Sequence, residues 1–94
     1  MNADTKRTLQ QIKEQGYFHP WTTLGEGGWQ EALPIIRGWQ TFELYHVHKK
    51  EVLDTIITSN EAQARKIFAD RWDLHTDVHV IRLASRKQQI YTGA

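Results

Sequence analysis

Apolar residues are thin at the start of the chain. Between residues 4 and 15 only Leu9 and Ile12 fall at a helical spacing. This predicts a lightly packed amino-terminal helix, capped by Asp4 and ended by Gly16 in the left-handed conformation. Residues 16–39 break the pattern, because five of the six glycines and both prolines lie there, interleaved with Tyr17, Phe18, Trp21, Trp29 and Trp39. Glycine and proline interrupt regular structure, so this stretch is expected to be a loop-rich connection, with at most a short helical turn from 29 to 36 and Pro34 opposing anything longer.

Regularity returns after Trp39. Thr41-Phe42-Glu43-Leu44-Tyr45-His46-Val47 is rich in β-branched and aromatic residues and reads as a strand. His48-Lys49-Lys50-Glu51 is a polar break suited to a hairpin turn, and residues 52–58 form a second strand with Ile56 and Ile57 on its two faces. Thr58 or Asn60 then begins a helix whose stripe is Ala64, Ile67, Phe68, Arg71 and Trp72, at i, i+3, i+4, i+7 and i+8. Residues 78–83 read as a third strand, and residues 89–92 as a short edge strand after the polar break Ser85-Arg86-Lys87-Gln88.

The fold class expected is α+β: an amino-terminal helix (1–16), a Gly/Trp-rich loop segment (17–39), and a β-β-α-β(-β) core (40–92) with one main helix on a small mixed or antiparallel sheet. The strand-helix-strand passage from 52 to 83 permits a crossover that makes its two strands parallel. Ninety-four residues suit a single domain.

Composition narrows the functions. Net charge is +1, and 39% of residues are hydrophobic against 24% charged, which is ordinary globular usage without a strong basic excess. With no cysteine, disulfides, thiolate metal sites and a cysteine nucleophile are excluded. The polar start Met1-Asn2-Ala3-Asp4-Thr5-Lys6-Arg7 does not read as a signal peptide, and no apolar run reaches membrane-span length, so a cytoplasmic protein without a membrane role is expected. No phosphate-loop, dinucleotide or Gly-x-Ser-x-Gly motif is present. Nothing in the sequence calls for a cofactor or designates a catalytic residue.

The run Thr55-Ile56-Ile57-Thr58-Ser59-Asn60-Glu61-Ala62-Gln63-Ala64, followed by the strand from Val78 to Leu83, has a recognisable plan. A strand pair ends in threonine or serine, an alanine-bearing amphipathic helix follows, and a strand returns. This layout resembles small accessory proteins of phages and mobile elements, several anti-CRISPR proteins among them. The resemblance implies a small inhibitor or adaptor and transfers no binding residue.

Four tryptophans are many for a chain this short. Trp72 belongs to the helical stripe. Trp21, Trp29 and Trp39, with Tyr17, Phe18 and Arg37, form the candidate partner-binding set, because tryptophan, tyrosine and arginine dominate interface hot spots. Trp21 and Trp29 are expected to be the exposed rings, the others folding back as a lid over the sheet.

His46 and His48 flank Val47, which would put both rings on one face of a strand, and with His79 they are the metal-ligand candidates. His19, His46 and Lys49 supply the residue types of an acid-base nuclease. Lys49, Lys50, Arg86 and Lys87 lie in predicted turns and are the candidate phosphate contacts. The functional expectation is a protein-binding inhibitor or adaptor that occludes a partner surface. A nucleic-acid-binding domain is the alternative, and a metal-dependent hydrolase the third reading. The protein is expected to be a monomer, or a homodimer through the edge at 89–92.

Overall fold

The computed structural model describes residues 3–24 and 27–84. Its elements run α1 (Ala3–Gln15), β1 (Tyr17–Phe18), α2 (Gly28–Ile36), β2 (Gln40–His46), β3 (Glu51–Thr58), α3 (Glu61–Arg71) and β4 (His79–Leu83). The four strands form one sheet in the order β1-β3-β2-β4, and every adjacent pair is antiparallel. β3 and β4 do run parallel, as the strand-helix-strand passage allowed, but β2 lies between them.

β3 explains the layering. Side chains alternate across a strand, so Ile56 and Ile57 face opposite ways. Ile57 joins Phe18, Leu9, Ile12, Leu24, Ala32 and Ile36 in a core beneath α1 and α2. Ile56 joins Phe42, Leu44, Ala64, Ile67 and Phe68 in a second core beneath α3. The sheet is thus the middle layer of three, and Asp54, paired with Leu44 across the β2–β3 ladder, faces α3.

The amino-terminal helix is better held than two apolar positions predict. Thr5 completes the stripe with Leu9 and Ile12, and its burial is tolerated because its hydroxyl donates to the Leu24 carbonyl at 3.0 Å. Asp4 lies inside the first turn and does not cap the helix. Gly16 does end it, at φ 76°, with its N–H on the Ile12 carbonyl at 3.0 Å. At the other main helix Asn60, not Thr58, is the cap: its side chain accepts the Gln63 N–H at 2.9 Å. Thr58 is buried in β3 and donates to the Gly16 carbonyl.

The expected loop from 17 to 39 needs correction. It contains β1 and the nine-residue α2, with Pro34 inside the helix. Proline removes one donor, here the N–H that would reach back to residue 30. The loss falls in the last turn, where the helix ends two residues later, and Pro34 itself is exposed. α2 is held instead by its buried face, Gly28, Ala32 and Ile36. The edge strand expected at 89–92 lies outside the described residues. Among the described residues no helix is long and apolar enough to cross a membrane.

Two substitutions test this layering. Phe68 is fully buried, so Phe68→Ala is expected to lower unfolding free energy by about 3–5 kcal/mol in urea titration. Gly28 allows α2 to touch α1: a Cβ there would stand 2.7 Å from Thr5 Cγ2 and 2.8 Å from Leu24 Cβ. Neither neighbour is the end of a long flexible side chain, so Gly28→Ala is expected to destabilise by about 1–3 kcal/mol despite its better helix propensity.

Candidate functional site

The aromatic residues between 17 and 39 separate into two groups. Phe18 is buried, with Trp29 at 5.9 Å and Trp39 at 6.0 Å between ring centroids, and both indoles pack on the core under α1 and α2. Trp29 is therefore half-buried, contrary to the exposure expected for it. Its helix α2 turns it inward, which a reading of the segment as loop could not anticipate. Trp39 likewise belongs to the core margin. Arg37 is exposed at the carboxyl end of α2.

Trp21 belongs to the second group and is 69% exposed. Its ring lies flat on His19, centroids 4.4 Å apart and planes within 7°. His19 in turn meets the Tyr17 ring edge-on at 5.9 Å. His19 is fixed from behind: Nδ1 donates to the Thr55 carbonyl at 3.1 Å, because a carbonyl can only accept. In the neutral ring Nε2 then carries the bare lone pair.

Behind His19 lies Asp54, a buried carboxylate whose side chain is only 5% exposed. Its Oδ1 accepts the Thr55 N–H at 2.9 Å. Its Oδ2 accepts Arg71 Nε and the Trp72 indole N–H, each at 3.0 Å. His19 Nδ1 stands 3.7 Å from Oδ1, too long for a hydrogen bond. The hydrogen bond and charge of Asp54 raise the Arg71 pKa above its ordinary value. Arg71 also reaches the Tyr17 hydroxyl at 3.4 Å. Asp54 thereby joins the end of α3 to the segment after β1, and each polar group in the network has a partner.

These residues border two shallow depressions on the β1 edge of the sheet. One, about 240 Å³, is lined by His19, Tyr17, Arg71 and Thr22 together with Thr8, Gln11 and Gln15 of α1. The other, about 280 Å³, lies between Tyr17 and the α3 residues Gln63, Lys66 and Asp70. Tyr17 is the ridge between them. The outcome is a fixed aromatic plate beside a groove of hydroxyl, amide and guanidinium groups, with donors and acceptors for a polypeptide backbone or polar side chains.

The histidine candidates lie elsewhere. β2 ends at His46, and His48 is in the turn 47–50, so the two are not on one strand face, although their rings stay 6.1 Å apart. His79 lies 5.3 Å from His46. His46 Nδ1 accepts the Lys49 N–H at 3.1 Å and His79 Nδ1 accepts the His75 N–H at 2.9 Å. With Nδ1 engaged as an acceptor, the ring proton is on Nε2, the nitrogen a metal would need. Among the described residues no three His, Asp or Glu side chains are placed to hold a metal ion. His19 belongs to the Asp54 network and His46 to this histidine group, so the structure does not assemble His19, His46 and Lys49 into one acid-base set.

Of the candidate phosphate contacts, Lys49 and Lys50 are exposed in the hairpin turn, with Lys50 at φ 55°. Arg86 and Lys87 lie outside the described residues. Arg82 is committed to its own sheet, 2.7 Å from Glu43 and 4.1 Å above the Tyr45 ring.

Removing the carboxylate at the centre of the network strands Arg71 and the Trp72 N–H. Asp54→Ala is expected to cost about 2–4 kcal/mol in chemical denaturation, and Asp54→Asn less, because an amide oxygen in the place of Oδ2 still accepts from both donors and only the Thr55 N–H loses its acceptor. Compared with protein-family models, curated proteins and solved structures, the chain matches none.

Proposed function

We propose that this protein is a small binding module that occludes a surface of a partner protein, as an inhibitor or adaptor, and that it docks through Trp21 and the groove beside it. The observation that carries this reading is the state of Trp21: largely exposed yet stacked flat on a histidine that is itself anchored to β3. An exposed indole usually loses rotamer freedom when it binds. Here that freedom is already restricted, which reduces the entropic cost of docking. Tyr17 and Arg71 line the groove together with His19, the ring on which Trp21 stacks, so the three residue types most enriched at hot spots lie close to one histidine. The resemblance to phage and mobile-element accessory proteins supports the same reading at the level of layout only.

The test is affinity capture from the source cell's lysate with wild type and Trp21→Ala, with and without nuclease, followed by titration of the captured protein. Trp21→Ala is expected to weaken binding by at least about 2 kcal/mol, roughly thirtyfold, with stability changed by less than about 0.5 kcal/mol. Trp29→Ala serves as the contrast: it should lower stability by about 1–3 kcal/mol through lost packing on Phe18 and should not act as a surface substitution. Equal affinity of Trp21→Ala and wild type would overturn the reading. Capture that vanishes with nuclease and falls steeply with salt would transfer it to nucleic acid.

A further inference from the structure

The end of the sheet marked by the β2–β3 turn gathers four of the five histidines, none of which the proposed docking edge uses. His46 and His79 are paired in register across β2 and β4, with rings edge-to-face at 5.3 Å. His48 flanks the first at 6.1 Å and His75 the second at 6.1 Å. The two central rings do the same chemical task. His46 Nδ1 takes the Lys49 N–H inside the hairpin turn, and His79 Nδ1 takes the His75 N–H inside the α3–β4 connection. A backbone N–H only donates, so each Nδ1 must present its lone pair and each neutral ring holds its one proton on Nε2. A second proton has only Nδ1 to occupy. Its arrival removes the acceptor and turns a hydrogen bond into two opposed donors.

The surroundings make a second charge costly. Lys49 and Lys50 adjoin His46 in the turn, His48 faces it, and Arg65 of α3 borders the same hollow as His75 and His79. Opposing them are Glu51, the β3 partner of His46, Asp73, 3.3 Å from His75 Nε2, and Asp77 in the connection.

We propose that this end is an acid-sensitive latch: protonation of His46 and His79 uncaps the 47–50 turn and the 73–78 connection together, and both open while the centre of the sheet holds. The direction of the His46 shift agrees with the geometry. Partial burial of its ring lowers its pKa below 6.5, and Lys49, His79 and His48 lower it further, with Glu51 opposing. A depressed folded pKa at His46 means that the opened 47–50 turn binds more protons than the closed one. The stabilisation is therefore complete above 6.5 and is lost as pH falls below that value through the folded pKa.

Amide exchange in the ¹⁵N-labelled full chain measures this, expressed as protection factors so that intrinsic pH effects cancel. From about pH 7.5 to about pH 5, protection at Lys49 and His75 is expected to fall at least tenfold, while amides at the centre of β3 hold theirs. In His46→Asn/His79→Asn a side-chain oxygen replaces each Nδ1 and gains no proton in that range, so protection at both positions should stay level. The single variant His46→Asn, expected to flatten the response at Lys49 and not at His75, decides the matter should the double variant not fold. Level protection at both positions in wild type, or an undiminished acid response in the variants, would overturn the proposal.

Discussion

A charge that is almost sealed from water must be matched from several directions, and Asp54 imposes that demand on the rest of the molecule. It faces α3 from the middle of β3, where neighbouring positions are apolar. The carboxylate persists there because a guanidinium, an indole N–H and its neighbour's backbone N–H converge on it. Those same contacts fix where α3 ends and where Trp72 lies. The buried charge is thus a registration device: it specifies one relative placement of β1, β3 and α3 more sharply than apolar contacts alone would.

The proposed docking edge inherits its order from that arrangement. Trp21 is held by His19, His19 by the Thr55 carbonyl, and Thr55 by the strand that carries Asp54. Each link is a short contact to something more deeply buried, so a solvent-exposed ring ends a chain that begins in the core. The opposite end of the sheet is built differently. Its turn and connection rely on ring nitrogens whose accepting capacity depends on protonation, with Leu74 of the connection packed on the core beneath α3. The two ends of the sheet therefore differ in what disturbs them: loss of packing at one and gain of protons at the other.

Much of the carboxyl-terminal half could be read from residues alone. The β-favouring content of 41–47, the two-faced Ile56-Ile57 pair and the apolar stripe of α3 each point to one structure, and only the choice between Thr58 and Asn60 as cap stayed open. The amino-terminal half was harder for specific reasons. β1 is two residues long, too short for any periodicity, and its strand character comes wholly from pairing with Ile57 and Thr58. α2 contains a proline that argues against a helix, and only the apolar burial of Ala32 and Ile36 outweighs it. Which tryptophan stays outside was likewise not legible, since the answer turns on an element that the segment's composition concealed. The Asp54 network did leave a trace. Arg71 falls on the apolar stripe of its helix, and a cation in that position requires a buried anion; Asp54, charged within an otherwise apolar strand face, was the available partner.

The brevity of β1 has a kinetic side. Its pairing with β3 spans some forty residues of chain, whereas the β2–β3 hairpin closes over a four-residue turn. Local hairpins form in microseconds, and distant pairings must first overcome loop-closure entropy. The hairpin with α3 is accordingly the natural nucleus, and the amino-terminal third condenses onto a surface already made. A newly synthesised chain, emerging amino end first, thus holds its aromatic plate unassembled until most of the polypeptide has been released.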